Sequence, residues 1–468
     1  MRHNTRIVIA LCIFCLLFLS IIVYLTHFTL FRAEDVKKSS FNKRLWADEN
    51  ATLRGKIYDV NGVLLAESTR EDNGYQTRRY YYGSLYAHVI GYNSTIYGKS
   101  QIESTFNDLL LGKDILQSTF NINSVAEKGH DLTLTLDNSV QQAAAKAMGT
   151  KHGAVVALDP KTGDVIACYS YPTFDPNDEV LTNTWTTLVN DEDSPILSRA
   201  TNGLYAPGST FKTITAAAVL KEDLERMTFN DTGSVVIDGR RFKNYQNKAM
   251  GNLDLTKSYA LSSNVAFCQW GLQVGADALR QMAYNFGFEK NLESDINITT
   301  SRFPQKDMSK TDLASAAIGQ WQVLSTPIEM AMVAASVVNR GQMVTPTFVK
   351  RATNAAGNIV YDAKKKSTMT ATDYTKSLTI EKMMTETVKT GTATACAIDG
   401  AIVGGKTGTA ENEKQGKEHA WFIGFAMDEN RDSDKSIAVA VIVEYSGGTG
   451  GTLAIPVARS VMKTYLGK

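Results

Sequence analysis

The chain has 468 residues, which is long enough for two or three domains with large cores. Its 49 basic and 48 acidic side chains leave a net charge of +1, which argues against the broad basic face of a nucleic-acid-binding protein. The 6 histidines are scattered and form no local ligand pattern, so we expect no metal site and no cofactor.

The N-terminal segment is apolar and long. Residues 7–25 contain no charged side chain, and Phe28 extends the stretch to roughly 20 residues, the length that crosses a bilayer. No Ala-x-Ala-like cleavage site follows, so we predict a short cytoplasmic tail (1–6) and an uncleaved membrane anchor (7–28) rather than a removed signal. Because long domains cross the membrane largely regardless of flanking charge, we expect a single-pass protein of the cell membrane whose bulk is extracytoplasmic.

The chain then changes from a polar segment to a strand-like one. Residues 29–53 are polar and of mixed charge, which is typical of a stalk. Arg54-Gly-Lys-Ile-Tyr-Asp-Val-Asn61-Gly62, with the apolar residues after it, predicts two strands around an Asn-Gly hairpin turn. Up to residue 130 no long amphipathic helix stands out. We therefore predict an irregular, strand-containing module at 54–130 without a catalytic cluster.

From Asp131 onward the pattern is that of a regular mixed domain. Alternating residues at 132–136 predict a strand, and Asp137 is placed to cap the helix that follows. The five cysteines imply no disulfide framework, and Cys268 is predicted to be a small buried hydrophobic residue. Further predicted elements are a hairpin at 153–159 and 164–170, a helix from the capping box Thr326-Pro-Ile-Glu329 to Gly341, strands at 420–426 and 437–443, and a final helix to Leu466.

The first candidate catalytic motif is Ser209-Thr-Phe-Lys212. Pro207-Gly208 predicts a turn before an Ala-rich helix, so Ser209 should lie at a helix N-terminus with Lys212 one turn later on the same face. A serine hydroxyl is activated when a base removes its proton, and a lysine can be that base when burial or a nearby cation lowers its pKa. The helix N-terminus adds backbone N–H groups that can stabilise an oxyanion. In isolation, such a motif is more often a serine N-cap followed by a solvated lysine.

Two further motifs carry groups that such a nucleophile needs. Ser262-Ser-Asn264 lies between two helical patterns, where Ser262 can relay a proton and the Asn264 amide can bind a peptide bond, although an ordinary loop is the simpler interpretation of this motif alone. Lys406-Thr-Gly-Thr409 lies in an extended segment in which Gly408 permits close approach of a ligand. Lys406, Thr407 and Thr409 can hold a carboxylate there, and Lys406 can lower the pKa of Lys212.

Copies of these motifs elsewhere in the chain have structural explanations. Ser-x-x-Lys recurs from Ser40 to Lys43, within the predicted stalk. Lys-Thr-Gly recurs at Lys161, in a predicted hairpin turn, and at Lys389, where Gly391 would serve as a helix C-cap. Only the three motifs at Ser209, Ser262 and Lys406, taken together in this order and each in its own structural setting, indicate a function. We call them the ordered triple.

That ordered triple resembles the signature of penicillin-binding proteins and serine β-lactamases. The segment that begins at Arg54 resembles the N-terminal pedestal motif of the class B, monofunctional penicillin-binding proteins, and residues 153–172 resemble the start of their transpeptidase domain. Ala317-Ile-Gly-Gln320 followed by Thr326-Pro also fits. Two departures, Val60 where the family usually has Arg and Gln101 where a second Gly is common, lie outside the catalytic domain.

The resemblance implies an α+β fold, in which an antiparallel β-sheet flanked by helices is joined to an all-helical subdomain. It also implies that a pedestal domain, similar to the dimerisation domain of the family, occupies residues 54–130 and precedes a transpeptidase domain at 131–468.

The chemistry that the resemblance implies is acyl transfer on peptidoglycan stem peptides that end in D-Ala-D-Ala. Ser209 would attack the carbonyl carbon, Lys212 would be the general base, and Ser262 and Lys406 would help to protonate the leaving D-Ala. The oxyanion would lie between the backbone N–H groups of Ser209 and Thr409. β-Lactams would acylate the same serine, and the implied partner is a membrane glycosyltransferase.

Two alternatives stay open at this point. A D,D-carboxypeptidase or a β-lactamase would use the same nucleophile for hydrolysis, although the anchor and the long module before the catalytic domain favour a transpeptidase. A catalytically idle scaffold or β-lactam sensor would keep the fold without the reaction, and the intact motifs argue against it.

Overall fold

The computed structural model describes residues 2–31, 49–72, 74–113, 126–363, 367–410, 418–430 and 435–468. The first helix, α1 (Arg2–Phe31), contains an apolar segment at Ile7–Phe28 of 22 residues with a mean hydropathy of 3.1. This segment is long and apolar enough to cross a membrane, as predicted for 7–28. Most of the predicted stalk, including the Ser40 to Lys43 motif, lies outside the described residues.

The remaining helices and strands alternate irregularly along the chain. The strands are β1 (Ile57–Tyr58), β2 (Leu64–Arg70), β3 (Gln76–Tyr80), β4 (Asn93–Ser94), β5 (Gly98–Lys99), β6 (Asp131–Leu134), β7 (Gly153–Leu158), β8 (Val165–Tyr171), β9 (Phe229–Asp231), β10 (Ser234–Ile237), β11 (Arg240–Lys243), β12 (Gly251–Leu253), β13 (Gln342–Val344), β14 (Val349–Thr353), β15 (Ile359–Asp362), β16 (Thr368–Thr370), β17 (Ala401–Ala410), β18 (His419–Asp428) and β19 (Ser436–Val443). The helices after α1 are α2 (Ala87–Ile90), α3 (Gln101–Thr105), α4 (Asn107–Leu110), α5 (Asn138–Met148), α6 (Asp178–Asn190), α7 (Arg199–Asn202), α8 (Lys212–Lys221), α9 (Leu255–Ala260), α10 (Asn264–Val274), α11 (Ala276–Asn285), α12 (Lys310–Ala317), α13 (Pro327–Val338), α14 (Tyr374–Lys389) and α15 (Ile455–Leu466).

A six-stranded sheet joins distant parts of the chain in the order β15-β14-β6-β1-β2-β3. The predicted Asn61-Gly62 turn connects β1 to β2, and Gly62 has a φ of +86°, which a glycine adopts without strain. The hairpin of β14 and β15 comes from more than 200 residues later and pairs with β6. The sheet that begins in the 54–130 module is therefore completed by strands from the C-terminal part of the chain.

A buried ion cluster holds this module together. The Glu103 carboxylate accepts hydrogen bonds from Arg54 Nε at 2.6 Å, from Arg78 Nε at 2.8 Å and from the Tyr80 hydroxyl at 3.1 Å. Burial opposes ionisation of Glu103, but the two guanidinium groups outweigh it and lower the pKa of the carboxyl group. Arg54 and Glu103, which are 49 residues apart in the chain, thus meet in one charged, hydrogen-bonded core.

Gln101, one of the two departures from the family pattern, has a φ of +51° at the start of α3. A left-handed conformation strains every residue with a Cβ, so Gln101→Gly is expected to raise the free energy of unfolding by about 0.5–1 kcal/mol, measured by urea denaturation. Ser104→Gly, within the right-handed part of the same helix, is the matched control and should lower it by a similar amount. A loss of stability in both variants would contradict this explanation.

The C-terminal part is built around a five-stranded antiparallel sheet in the order β17-β18-β19-β7-β8. One face packs against α5 and α15, and the other packs against α8 and α13. Asp137 accepts the backbone N–H groups of Ser139 and Val140 and caps α5, as predicted. The predicted hairpin of β7 and β8, the strands β18 and β19 and the final helix are also confirmed. Together with the helices that surround α8, this confirms the α+β fold.

One local prediction was confirmed only in part, and another was wrong. Thr326 caps α13 by accepting the Glu329 N–H at 3.3 Å, but the N–H of Thr326 is bonded to Ser301 Oγ at 3.2 Å instead of to the Glu329 side chain, so the capping box is half formed. The Glu329 carboxyl is buried against Gly287, and burial raises its pKa to about 8.

At the end of α14 the C-cap is Thr390 rather than Gly391, which packs instead against the Ala260 carbonyl.

Candidate active site

Ser209 lies on a tight turn that leads into a buried helix. The turn (Gly208–Phe211) is a single 3-10 turn, and α8 follows it directly. Gly208 has a φ of +53°, and a Cβ there would lie 2.7 Å from the Thr409 carbonyl oxygen. The turn therefore packs against β17 at a distance that only glycine allows, which brings the first and third motifs together.

Lys212 is fully buried and faces the second motif. Its Nζ donates to the Ser262 carbonyl oxygen at 2.8 Å, to Asn264 Oδ1 at 2.7 Å and to Ser262 Oγ at 3.3 Å. Among the residues that the structure describes, Lys212 forms no hydrogen bond with Ser209. One of these two side chains must therefore rotate, or be moved by a bound ligand, before a proton can pass from Ser209 to Lys212.

Burial controls the charge of Lys212. Loss of hydration lowers the pKa of Lys212 to about 7, while Cys268 and Asp231 act in the opposite direction. The Phe267 ring centroid lies 5.4 Å from Nζ. Cys268 itself is buried, and burial raises its pKa to about 12, in agreement with the prediction that it is a small buried residue. Because this pKa lies near neutral pH, Lys212 can lose one of its three Nζ protons and become a neutral amine that accepts a proton from a hydroxyl group.

Lys406 approaches Ser262 from the opposite side. Its Nζ donates to Ser262 Oγ at 2.8 Å and to the Thr407 carbonyl oxygen at 3.0 Å. Burial, with repulsion from Lys212 as a second cause, holds the pKa of Lys406 well below its ordinary value. Ser262 Oγ therefore accepts hydrogen bonds from two lysines, and its own O–H is left to point toward a third group.

Ser262 and Asn264 are presented by the short loop between α9 and α10. Ser262 has a φ of +60°, a conformation that non-glycine residues rarely adopt and that is found more often at functional sites. Asn264 is the first residue of α10, and its Nδ2 donates to the Lys243 carbonyl oxygen at 2.9 Å. The loop thus places both polar side chains against Lys212.

Strand β17 forms the other wall of the site. Because side chains alternate along a strand, Thr407 and Thr409 share one face while Lys406 and Gly408 share the other. A Cβ on Gly408 would lie 2.9 Å from Thr210 Cγ2, so the glycine again permits close packing beside the nucleophile turn. The eight residues that the sequence singled out therefore meet at one place, on the Ser209 turn and the start of α8, on the Ser262 loop and the start of α10, and on β17.

Thr392 belongs to the same site, and the sequence analysis missed it. Its Oγ1 lies 2.6 Å from Thr407 Oγ1, and its N–H donates to the Ala260 carbonyl oxygen at 3.1 Å. Thr392 directly follows the second Lys-Thr-Gly motif, Lys389 to Gly391, and that position was the one sequence feature that could have indicated its role. We interpreted this motif as a helix end. That segment does end α14, but it then runs beside both the Ser262 loop and β17.

The arrangement supports nucleophilic catalysis by a serine. A buried amine with a pKa of about 7 lies one helical turn from a hydroxyl group at a helix N-terminus. A second serine hydroxyl links that amine to another buried amine, which provides a route for a proton. The hydroxyl groups of Thr407 and Thr409 line the adjacent strand, where they can bind an anionic group.

Comparison with known protein families gives two matches in this chain. The family described as the penicillin binding protein transpeptidase domain matches residues 153–463. The family described as the penicillin binding protein A dimerisation domain matches residues 54–130.

Individual proteins with similar sequences and structures cover almost the whole chain. The peptidoglycan D,D-transpeptidase PbpA of Mycobacterium tuberculosis is 30% identical over 472 residues, which cover 93% of this chain and 94% of that protein. A solved structure of penicillin-binding protein A from M. tuberculosis, described as a ceftriaxone acyl-enzyme complex, is 30% identical with a TM-score of 0.81 and covers 90% of this chain and 99% of that one. The D,D-transpeptidase domain of a peptidoglycan glycosyltransferase from Eggerthella lenta is 34% identical with a TM-score of 0.79 and covers 89% of this chain and 99% of that one.

Proposed function

The chain belongs to the class B penicillin-binding proteins, and on that premise we propose that it is a peptidoglycan D,D-transpeptidase whose nucleophile is Ser209. The observation that carries the proposal is the hydrogen-bonded series Lys212–Ser262–Lys406, buried beside the turn that bears Ser209. The substrate is a stem peptide that ends in D-Ala-D-Ala, and the product is a cross-linked pair of stem peptides. We assign the roles of pedestal and catalytic domain to residues 54–130 and 131–468, respectively.

The first half of the reaction forms an acyl-enzyme. Neutral Lys212 takes the proton of the Ser209 hydroxyl as the serine oxygen attacks the carbonyl carbon of the penultimate D-Ala. The backbone N–H groups of Ser209 and Thr409 stabilise the resulting oxyanion. The C–N bond then breaks, and the leaving D-Ala amine receives a proton through the Ser262 hydroxyl, which both lysines contact.

The second half returns the enzyme to its starting state. An amine from a neighbouring stem peptide attacks the ester carbonyl and gives up a proton along the same route, and Ser209 leaves with a proton. Asn264 binds the peptide backbone of the donor, and Thr407, Gly408 and Thr409 hold its terminal carboxylate. Ceftriaxone forms an acyl-enzyme with the M. tuberculosis relative. β-Lactams acylate Ser209 here in the same way and remain bound because the water that would hydrolyse the ester is poorly activated.

A donor and acceptor assay tests this function against hydrolysis. Purified protein is incubated with a pentapeptide donor that ends in D-Ala-D-Ala, with and without an amine acceptor, and the products are identified by mass spectrometry. We expect a donor–acceptor adduct whose yield rises with acceptor concentration, accompanied by one D-Ala for each bond formed. Free tetrapeptide as the only product at every acceptor concentration would instead identify a D,D-carboxypeptidase.

Thr392 gives a prediction for substrate affinity. Thr392→Val removes the hydroxyl group that contacts Thr407 Oγ1 and is expected to weaken binding of carboxylate-bearing β-lactams by about fivefold, because loss of one hydrogen-bond partner costs about 1 kcal/mol. The measurement is the concentration dependence of the acylation rate. Thr390→Val is the control, since the Thr390 hydroxyl donates to Glu386 at the end of α14 and, within the described part of the chain, has no bond to the site. Equal affinities in wild type and Thr392→Val would refute this role.

The apolar segment of α1 supports attachment to the membrane. We propose that residues 7–28 anchor the protein in the cytoplasmic membrane and that residues 54–468 lie outside it, where peptidoglycan is assembled. Protease added to cells without their wall should then degrade the catalytic domain while the membrane remains intact. Protection of that domain until the membrane is lysed would contradict this topology.

The proposed partner is a membrane glycosyltransferase that supplies the glycan strand whose stem peptides are cross-linked. The proposal follows from the reaction, since this chain acts on the peptide and another enzyme must polymerise the sugars. Photo-crosslinking from the 54–130 module in cells should capture such an enzyme. Crosslinks that join only copies of this same chain would indicate self-association instead.

A further inference from the structure

Beneath the Ser262 loop lies a buried carboxylate that the proposed reaction does not use. Asp231, at the end of β9, is 1% exposed. Its Oδ1 accepts the Gly233 N–H at 2.8 Å and the Asn244 Nδ2 at 2.8 Å, while its Oδ2 accepts Asn244 Nδ2 at 2.7 Å and the Ser263 hydroxyl. Three donor groups thus make four hydrogen bonds to this buried anion, so they fix its orientation and it fixes theirs.

Asn244 connects this carboxylate to the first turn of α10. Its Oδ1 accepts the backbone N–H groups of Asn264 at 2.8 Å and Val265 at 3.1 Å, which are two of the helix donors without a partner inside the helix. Because its Nδ2 must face the Asp231 carboxylate, its oxygen is directed toward the helix. Ser263 completes the cap, since its Oγ accepts the Ala266 N–H at 2.9 Å while donating to Asp231.

The residues held in this way are those that contact Lys212. Asn264 presents its Oδ1 to Lys212 Nζ at 2.7 Å, and Ser262 immediately precedes the clamped Ser263. Ser262 also keeps a left-handed backbone, which persists only where its surroundings hold it in place. Loosening the first turn of α10 would therefore move both groups relative to the lysine.

We propose that Asp231 and Asn244 are positioning residues of the acylation machinery, which hold Ser262 and Asn264 against Lys212 and place a buried negative charge under the Ser262 loop. This inference rests on the proposed transpeptidase function and extends it to two residues outside the three motifs. It assigns them no contact with the substrate. They act through the Ser262 loop and through the charge of the Asp231 carboxylate.

The electrostatic part of the inference concerns the groups that surround Lys212. Lys406 on β17, Cys268 and the Phe267 ring on α10, and the Asp231 carboxylate on β9 all act on its charge. Asp231 raises the pKa of Lys212 against the effect of burial. Removing its charge should consequently lower the pH at which Lys212 becomes a base.

The experiment measures the second-order rate constant of acylation by a fluorescent penicillin from about pH 5.5 to 9.5. In the wild type we expect the rate to rise with pH through the Lys212 pKa and then reach a plateau. In Asp231→Asn the plateau should fall at least about tenfold, and the midpoint of the rise should move to lower pH by about half a unit. A midpoint and plateau that match the wild type would overturn the inference.

Asp295→Asn is the matched control for the loss of a buried aspartate. Asp295 is 7% exposed and accepts the backbone N–H groups of Phe348 and Val349, so its substitution should lower thermal stability without moving the pH midpoint. If the midpoint moves equally in both variants, the shift reflects general destabilisation, and the inference is overturned.

Asn244→Ala keeps the inference testable even if Asp231→Asn does not fold. This variant retains the Asp231 charge and removes the amide that caps α10, so its plateau rate should fall at least about tenfold at a thermal stability no lower than that of Asp295→Asn. A plateau within about twofold of wild type would overturn the inference. Failure of the wild type to react with penicillin at any pH would instead refute the proposed function.

Discussion

Replacing Ser209 with alanine is expected to abolish covalent labelling by fluorescent penicillin and to reduce donor turnover by at least about 10⁴-fold. The variant keeps the turn that packs against β17 and the buried lysines, but it has no oxygen to form the ester. The rate of labelling is measured by gel fluorescence over a range of reaction times. Thermal unfolding should stay close to that of the wild type, because the lost hydroxyl group makes no hydrogen bond with Lys212 among the described residues.

The chain provides its own control for this substitution. Ser40 begins a second Ser-x-x-Lys sequence in the predicted stalk, so Ser40→Ala changes the same residue type in the same four-residue pattern. We expect Ser40→Ala to be labelled as fast as the wild type. Labelling that persists in Ser209→Ala and disappears in Ser40→Ala would reverse the assignment of the nucleophile.

Replacing Lys212 with methionine is expected to slow acylation by about 10²–10⁴-fold, because it removes the general base and keeps most of the side-chain volume. The wild-type rate should rise as pH increases through about 7, since Lys212 becomes a neutral amine above its pKa. The variant should lose this rise. Lys389→Met, at the exposed end of α14 in another Lys-Thr-Gly sequence, is the control and should retain both the rate and the pH profile.

Lys212→Met should also have a larger free energy of unfolding than the wild type, and the difference should depend on pH. The folded protein holds the pKa of Lys212 at about 7, below the ordinary value of 10.5, so the unfolded chain binds more protons between these values. Wild-type stability therefore increases with pH across this interval, and the advantage of Lys212→Met is larger at pH 6 than at pH 10. A slow variant that is also less stable at pH 6 would indicate misfolding rather than loss of a base.

Local sequence signals predicted much of this molecule, because they depend on residues close together in the chain. The cap at Asp137, the turn at Asn61-Gly62 and the helix start beside Ser209 each follow from the conformational preferences of a few neighbouring residues. The three motifs were also predicted to converge, although the resemblance to a known family provided that conclusion rather than the spacing.

Contacts between distant segments were not predictable in the same way. Thr392 reaches Thr407 across 15 residues, and Ser263 reaches Asp231 across 32 residues, and neither pair lies within a recognisable pattern. The hairpin of β14 and β15 joins the sheet of the 54–130 module because its edge pairs with β6, a partner that strand propensity does not specify. These contacts support and orient the motifs, and a single sequence gives no pattern that identifies them.

The central claim is that Ser209 becomes acylated, and mass spectrometry of a single peptide tests it most directly. Trypsin cleaves after Arg199 and Lys212, so it releases Ser209 within residues 200–212. After incubation of the wild type with penicillin, we expect this peptide to gain the mass of one intact penicillin molecule, with fragmentation placing the adduct on Ser209. An adduct on any other peptide, with residues 200–212 recovered unmodified, would contradict the account.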